Sequence, residues 1–131
     1  MIKDHEKTLR AFMDEWGKSY EAVLKAYDEY LADNVLWDQP PMGTTHTKQE
    51  AIALLRDFNQ KVGLATFRAE VLNVAVNGDV AFAERIDHLA RADGSSISSF
   101  PVTGVFKFDE DGKIFFWREY FDAAPVVKAF S

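Results

Sequence analysis

A length of 131 residues predicts one domain, covering residues 1–131, that buries roughly two-thirds of the surface exposed by the unfolded chain. Hydrophobic residues make up 47% of the chain and aromatic residues 14%, which excludes a disordered protein. The net charge is −6 and no basic cluster offsets it, which argues against nucleic-acid binding. Without cysteine, disulfides, thiolate metal sites and cysteine nucleophiles are excluded.

Targeting and cofactor signals are missing from the sequence. The first residues, MIKDHEKTLR, are charged and lack the apolar segment of a secretion signal. No apolar run approaches the ~18 residues that a membrane-spanning helix needs. The three histidines are scattered and unpaired at helical spacing, so no metal site is expected. We therefore expect a cytoplasmic protein that does not bind a membrane.

Three helices are predicted in the first half of the chain. Asp4 caps the first, and Ser19 caps the second after a break at Gly17. Thr47 begins the third helix, with Glu50 three residues later as a capping box. Between the second and third helices, DNVLWDQPPMG predicts a short extended segment that ends at two prolines and a glycine.

The second half of the chain is rich in β-forming residues. Four long segments are separated by NGD, ADG and DEDG, which are typical of tight turns, and a short helix follows in APVVKAF. Helices followed by an antiparallel meander predict an α+β domain, in which a curved sheet wraps over three helices as a cone. Its wide end forms a pocket for a small ligand. Apolar sheet surface left uncovered by the helices predicts a homodimer through the sheet face.

The last strand carries a carboxylate among aromatic residues. Alternation along KIFFWREYFD puts one set of side chains on the same face: Phe115, Trp117, Glu119 and Phe121. Burying a carboxylate without a partner is costly, so a cation or a functional pocket would explain Glu119. Alternatively, this face is partly wet and Glu119 forms a structural ion pair.

The segment FAERIDHLAR raises the same question. Alternation places Arg85 and Asp87 on one strand face, beside the small side chains of Ala81 and Ala83. An arginine two residues from an aspartate holds that carboxylate through charge-assisted hydrogen bonds. If the guanidinium also reaches Glu119, one acid can be protonated while the other is ionised, as a paired general acid and base require. A solvated strand edge, or a salt-bridge ladder between strands, would give the same pattern.

Helices followed by a meander with ERID, GVFKF, GKI and WREYFD resemble the limonene-1,2-epoxide hydrolase family. That family lies within the nuclear transport factor 2-like superfamily, also called ketosteroid isomerase-like or SnoaL-like, and the resemblance covers about residues 12–122. It implies a hydrolase that adds water to a small, mostly apolar epoxide in one step, without a metal or cofactor. The resemblance also implies that Arg85 is the bridging arginine, Asp87 the general acid and Glu119 the water-activating base.

Three positions depart from the family's pattern. The family typically has aspartate where this chain has Glu119, and the extra methylene moves the carboxylate by about one bond length. The family's tyrosine and asparagine, which hold the water, fall on Leu36 and Asp38. Asp38 also matches the base of ketosteroid isomerases, through ADNVLWD.

Two alternatives to the hydrolase therefore stay open, because fold alone does not decide function. One is an isomerase, dehydratase or cyclase of the same fold that uses Asp38 as a catalytic residue. The other is a dimer that binds a small ligand without catalysis. In each case the pocket is expected to be lined by Leu36, Trp37, Phe115, Trp117 and Phe121.

Overall fold

A computed structural model describes residues 3–131 of the chain. The elements in chain order are α1 (His5–Glu15), α2 (Tyr20–Tyr30), β1 (Leu31–Gln39), β2 (Gly43–Thr45), α3 (Lys48–Val62), β3 (Leu64–Asn77), β4 (Val80–Arg91), β5 (Ser96–Phe108), β6 (Ile114–Phe121) and α4 (Ala123–Ala129). Among them, β2 is an addition to the elements predicted from sequence. Within residues 3–131, no helix is long and apolar enough to cross a bilayer.

The first three helices begin at the predicted caps. The side chains of Asp4, Ser19 and Thr47 each accept a hydrogen bond from the backbone N–H of the third helical residue. Each cap satisfies one of the four N–H groups that lack a partner within the helix. At its other end, α3 stops at Gly63, whose φ of 75° is a left-handed conformation that glycine adopts without strain.

The six strands form one sheet in the order β2-β1-β6-β5-β4-β3. Strands β3 to β6 make the predicted antiparallel meander, β1 joins β6 in parallel, and β2 pairs antiparallel with β1. Helices α1, α2 and α3 all contact this sheet. The architecture is the predicted α+β cone, with an inner face covered by helices and an outer face turned away from them.

Stacked tryptophans form the centre of the core between the helices and the sheet. The ring of Trp117 from β6 stacks on Trp16, the residue that follows α1, at 5.3 Å and on Trp37 from β1 at 5.0 Å. Phe12 and Tyr27 approach the Trp117 ring at steep angles from α1 and α2. Large aromatic rings in offset or edge contacts contribute strongly to core packing, so this cluster fixes the positions of its neighbours on the inner face.

The alternation along β6 fails at its first residues. Ile114 is fully buried and Phe115 is 37% exposed, although Trp117 is buried again. The register with β5 shifts between Lys107 and Phe108. Such an irregularity moves the residues before it to the opposite face. The prediction that Phe115 lines the pocket is therefore wrong.

Candidate active site

A buried arginine joins two buried carboxylates on the inner face of the sheet. Arg85 donates from Nε to Oδ1 and from Nη2 to Oδ2 of Asp87, both at 2.9 Å. The same Nη2 donates to Glu119 Oε1 at 2.7 Å. The exposed fractions of Arg85, Asp87 and Glu119 are 1%, 6% and 7%. The structure therefore brings these three side chains together, and the alternative of a solvated strand edge is wrong.

A glycine on the strand between them makes this contact possible. Gly104 of β5 pairs with Ala83 of β4 on one side and with Glu119 of β6 on the other. A Cβ atom at Gly104 would lie 2.7 Å from Arg85 Nη1 and 2.8 Å from Glu119 Oε2. Both distances are too short for real side chains, since dense interiors tolerate little overlap. The missing side chain at Gly104 thus lets the arginine and the glutamate meet across β5.

Burial and charge act together on these groups. The pKa of Glu119 is raised, chiefly because burial disfavours its charged form, and the cation of Arg85 opposes that rise. Burial also disfavours the charge on Arg85, yet the neighbouring carboxylates outweigh it and raise the arginine's pKa. The site therefore contains a permanent cation, and its glutamate is a stronger base than an exposed glutamate.

The two oxygens of Glu119 have different surroundings. Oε1 accepts from Arg85 and also from Trp117 Nε1 at 2.6 Å, because the tryptophan lies two residues earlier on the same strand face. Oε2 has no hydrogen-bond partner among residues 3–131. One oxygen thus fixes the orientation of the carboxylate, and the other is buried beside Gly104 without a partner in that part of the chain.

Asp87 and Glu119 form the polar floor of a largely apolar cavity. Its empty volume is about 550 Å³, a figure that includes the solvent space at its open mouth. The amide of Gln39 adds a further polar group to the wall. The remaining lining residues are Trp37, Met42, Phe58, Leu64, Phe67, Leu89, Phe100, Val102, Trp117, Phe121, Val126 and Phe130.

The structure places only part of the predicted pocket in this wall. Trp37, Trp117 and Phe121 line the cavity. Leu36 does not, because it neighbours Trp37 on β1 and successive side chains of a strand point to opposite faces. The prediction that Leu36 lines the pocket is therefore wrong. The same alternation brings Gln39 to the inner face.

Asp38 lies in a separate polar cluster on the outer face. Its Oδ2 accepts from Arg118 Nε and its Oδ1 accepts from Thr44 Oγ1, both at 2.8 Å. The hydrogen bond from Thr44 and then that from Arg118 lower the pKa of Asp38. The placement of Asp38 among the site residues is wrong, since the sheet separates it from the cavity. An isomerase, dehydratase or cyclase that depends on Asp38 gains no support.

Gln39 is a site residue absent from the prediction. Its side chain lines the cavity, and its Nε2 atom has no partner among the described residues. The available signal was the large aromatic Trp37 two residues earlier, which shares its face and is expected in the core.

Within residues 3–131, no cluster of three or more histidine and carboxylate side chains is placed to hold a metal ion.

The curved sheet over three helices, with its polar floor, defines a nuclear transport factor 2-like fold. A protein of this fold from Burkholderia pseudomallei, of unknown function, is similar with a TM-score of 0.79 at 18% identity, covering 99% of both chains. An LEH-like epoxide hydrolase of Mycobacterium tuberculosis is similar with a TM-score of 0.75 at 23% identity, covering 96% of this chain and 88% of that one. Identities this low show the fold alone.

Sequence comparison identifies the family to which the chain belongs. The profile described as the limonene-1,2-epoxide hydrolase catalytic domain matches residues 3–131, and the chain belongs to this family. The epoxide hydrolase EphG of Mycobacterium tuberculosis is 30% identical over 101 residues, or 77% of this chain. The match spans 64% of that relative's length. The resemblance carried by ERID and WREYFD is thus confirmed.

Proposed function

We propose that this protein is an epoxide hydrolase that adds water in one step to a small, mostly apolar epoxide. The observation that carries the proposal is the buried guanidinium of Arg85, hydrogen-bonded to both Asp87 and Glu119 at the floor of an apolar cavity. Two acids held by one cation can share a proton, so that one is ionised and the other protonated. Family membership supports the same class of reaction.

In the proposed reaction, Glu119 accepts a proton from water through Oε2 while the water oxygen attacks an epoxide carbon. The carbon–oxygen bond of the ring breaks, and Asp87 donates a proton to the departing oxygen, which gives a vicinal diol. The reaction starts with the shared proton on Asp87, and the raised pKa of Glu119 makes its ionised form a stronger base than an exposed glutamate. A proton then returns to Asp87 from Glu119, and Arg85 holds both carboxylates throughout.

The glutamate fits this role although the family typically has aspartate there. The hydrogen bonds from Arg85 and Trp117 hold Oε1, and the bare backbone at Gly104 leaves room for the longer side chain. Oε2 lies beside Gly104, and Glu119 and Gln39 both line the cavity. The site accommodates the extra methylene, and the carboxylate stays buried and hydrogen-bonded.

The cavity wall supports an uncharged substrate. Among the described lining residues, Asp87 and Glu119 are the ionisable ones, and the wall lacks a lysine or arginine to pair with an anion. Seven of the remaining lining residues are aromatic: Trp37, Phe58, Phe67, Phe100, Trp117, Phe121 and Phe130. An apolar epoxide gains about 25 cal/mol for each Å² of apolar surface that it buries there, whereas a charged one loses hydration without compensation.

A panel of apolar epoxides incubated in ¹⁸O-labelled water tests the proposal. We expect a diol with one ¹⁸O atom on carbon even in a single turnover, because water attacks directly. An unlabelled diol in the first turnover would instead show that a carboxylate attacks first and would refute the one-step reaction. Asp87→Asn and Glu119→Gln are expected to abolish turnover, and Asp38→Asn, on the outer face, to retain it.

A ligand-binding dimer without catalysis is the outcome that would replace the hydrolase. It would appear as thermal stabilisation of the protein by apolar ligands without diol formation from any epoxide of the panel. The same absence of product in Glu119→Asp, which restores the family's usual acid, would remove the remaining support for hydrolysis.

A further inference from the structure

Five of the buried polar atoms that lack a hydrogen-bond partner among residues 3–131 belong to side chains at or next to the cavity floor. They are the Tyr27 hydroxyl, Trp37 Nε1, Gln39 Nε2, Arg85 Nη1 and Glu119 Oε2. The first four are donors and the last is an acceptor. Buried polar groups in folded proteins are nearly always hydrogen-bonded, and ordered water satisfies those that no protein group reaches.

Tyr27 differs from the other four because it comes from a helix. It belongs to α2 and is fully buried, and its ring meets Trp37 at 5.3 Å and Trp117 at 5.6 Å in edge contacts. Both tryptophans line the cavity, so Tyr27 lies directly behind the wall that they form. A phenylalanine would fill this space equally well. The hydroxyl therefore needs an explanation other than packing.

The charges of the site act on this hydroxyl. Burial raises the pKa of Tyr27, and the negative charge of Glu119 raises it further, with a larger effect than either Arg85 or Asp87. The phenol thus stays protonated and keeps its ability to donate. Glu119 is also the charged group with the largest effect on this pKa. The two residues share a neighbour, because the Trp117 ring that Tyr27 contacts donates from Nε1 to Glu119 Oε1.

We propose that Tyr27 is a positioning residue for Glu119, joined to its Oε2 atom through a buried water molecule. Such a water accepts hydrogen bonds from the Tyr27 hydroxyl and from one of the donors on β1, Trp37 or Gln39. It then donates one of its own hydrogens to Oε2, so each of its bonds satisfies an atom that the protein leaves unpartnered.

This arrangement aims a hydrogen of the water at the oxygen that accepts it in the proposed reaction. The catalytic role of this arrangement of Tyr27, water and Glu119 rests on the proposed function, whereas the hydrogen bonds themselves do not. A hydroxyl that donates towards a carboxylate favours its charged form. The Tyr27 hydroxyl, acting through the water, therefore also limits how far burial raises the pKa of Glu119. That effect is measurable without turnover.

Tyr27→Phe removes the hydroxyl and keeps the ring. With ¹³C-labelled glutamate carboxyls, NMR follows the titration of Glu119, identified by the signal that Glu119→Gln removes. We expect the midpoint to rise by about one pH unit in Tyr27→Phe, because the charged carboxylate loses a donor that acts through water. Tyr30→Phe is the matched control, since it removes a hydroxyl from the same helix where the ring packs on Phe12. Its titration should match that of the wild type.

A second measurement covers the case in which Tyr27→Phe does not fold. In Glu119→Gln, the phenol carbon of Tyr27 should shift in the ¹³C spectrum, because its hydroxyl loses the anion linked to it. The Tyr30 signal should stay in place. An unchanged Tyr27 signal, or an unchanged Glu119 midpoint in folded Tyr27→Phe, would overturn the inference. If these signals shift as expected but no epoxide gives a diol, only the proposed hydrolysis is refuted. If a diol forms but neither signal shifts, only the role of Tyr27 is refuted.

Discussion

Arg85→Met removes the cation of the ion-pair network and keeps an apolar chain of similar length. Both carboxylates are more than nine-tenths buried, and three hydrogen bonds from Arg85 hold them. Breaking a buried pair by removing one partner costs about 3–5 kcal/mol, because a charge is left without compensation. Folded domains are stable by about 5–15 kcal/mol in total. We therefore expect the variant to lose a large part of its stability at neutral pH.

The loss should depend on pH in a defined direction. Without the cation, burial and the neighbouring acid raise the pKa of at least one of the two carboxyls well above its unfolded value. A group of this kind stabilises the fold below its unfolded pKa, and that contribution disappears as the pH rises through the folded value. A tenfold difference between the acid dissociation constants of the folded and unfolded states corresponds to about 1.4 kcal/mol. The deficit of Arg85→Met should thus be small near pH 4.5 and approach its full size near pH 7.5.

Urea unfolding followed by tryptophan fluorescence measures this deficit at both pH values. The matched control is Arg118→Met, which removes an arginine that also pairs with an aspartate, but on the outer face and with 38% of its side chain exposed. Exposed pairs contribute about 0–1 kcal/mol, so the control should lose little at either pH. If Arg85→Met lost no more than Arg118→Met, or lost equally at both pH values, the account of the network would be refuted.

Three further predictions concern the space at Gly104, the length of the acid at position 119 and the outer face of the sheet. Gly104→Ala should lower stability by about 1–3 kcal/mol, as measured by the same unfolding assay, and shift the Glu119 titration, because the new methyl group overlaps Arg85 and Glu119; an unshifted titration would contradict the close approach. Glu119→Asp should retain diol formation in the epoxide assay at a rate below that of the wild type, and a loss as complete as that of Glu119→Gln would show that the glutamate's length is essential. We propose that a second copy of this chain covers the outer face, where Phe82 is 40% and Tyr120 57% exposed. Light scattering should give a dimer mass that Phe82→Glu with Tyr120→Glu reduces to that of a folded monomer, and a wild-type monomer at high concentration would refute the proposal.

Local sequence patterns predict which side chains of β4 lie on the inner face, because that strand is regular around its charged residues. From Ala81 to Leu89 buried residues alternate with more exposed ones, and Arg85 and Asp87 fall on the buried set. The turns between strands and the helix caps are local as well, since each depends on a few adjacent residues. For these reasons the cone and the central part of its site can be predicted before any contact is known.

Other parts of the site depend on contacts between distant segments. Phe115 leaves the predicted face because β6 shifts its register against β5, and nothing within KIFFWREYFD encodes that shift. The inner face of β1 is settled by the stacking of Trp37 on Trp117, which lies far away in sequence. Because Leu36 and Trp37 are both apolar, composition does not decide which of them points inwards.

The substitution of glutamate for the family's usual aspartate shows how such distant contacts compensate for one another. A longer acid needs space, a donor that turns it inwards and a counter-charge, and these come from three different strands. Gly104 on β5 supplies the space, Trp117 on β6 donates to Oε1, and Arg85 on β4 supplies the charge. Restoring the aspartate alone would retract the carboxylate from Trp117 and Arg85 by about one bond length, enough to loosen a catalytic constellation. The effect of Glu119→Asp therefore measures how closely the three neighbours are matched to the longer side chain.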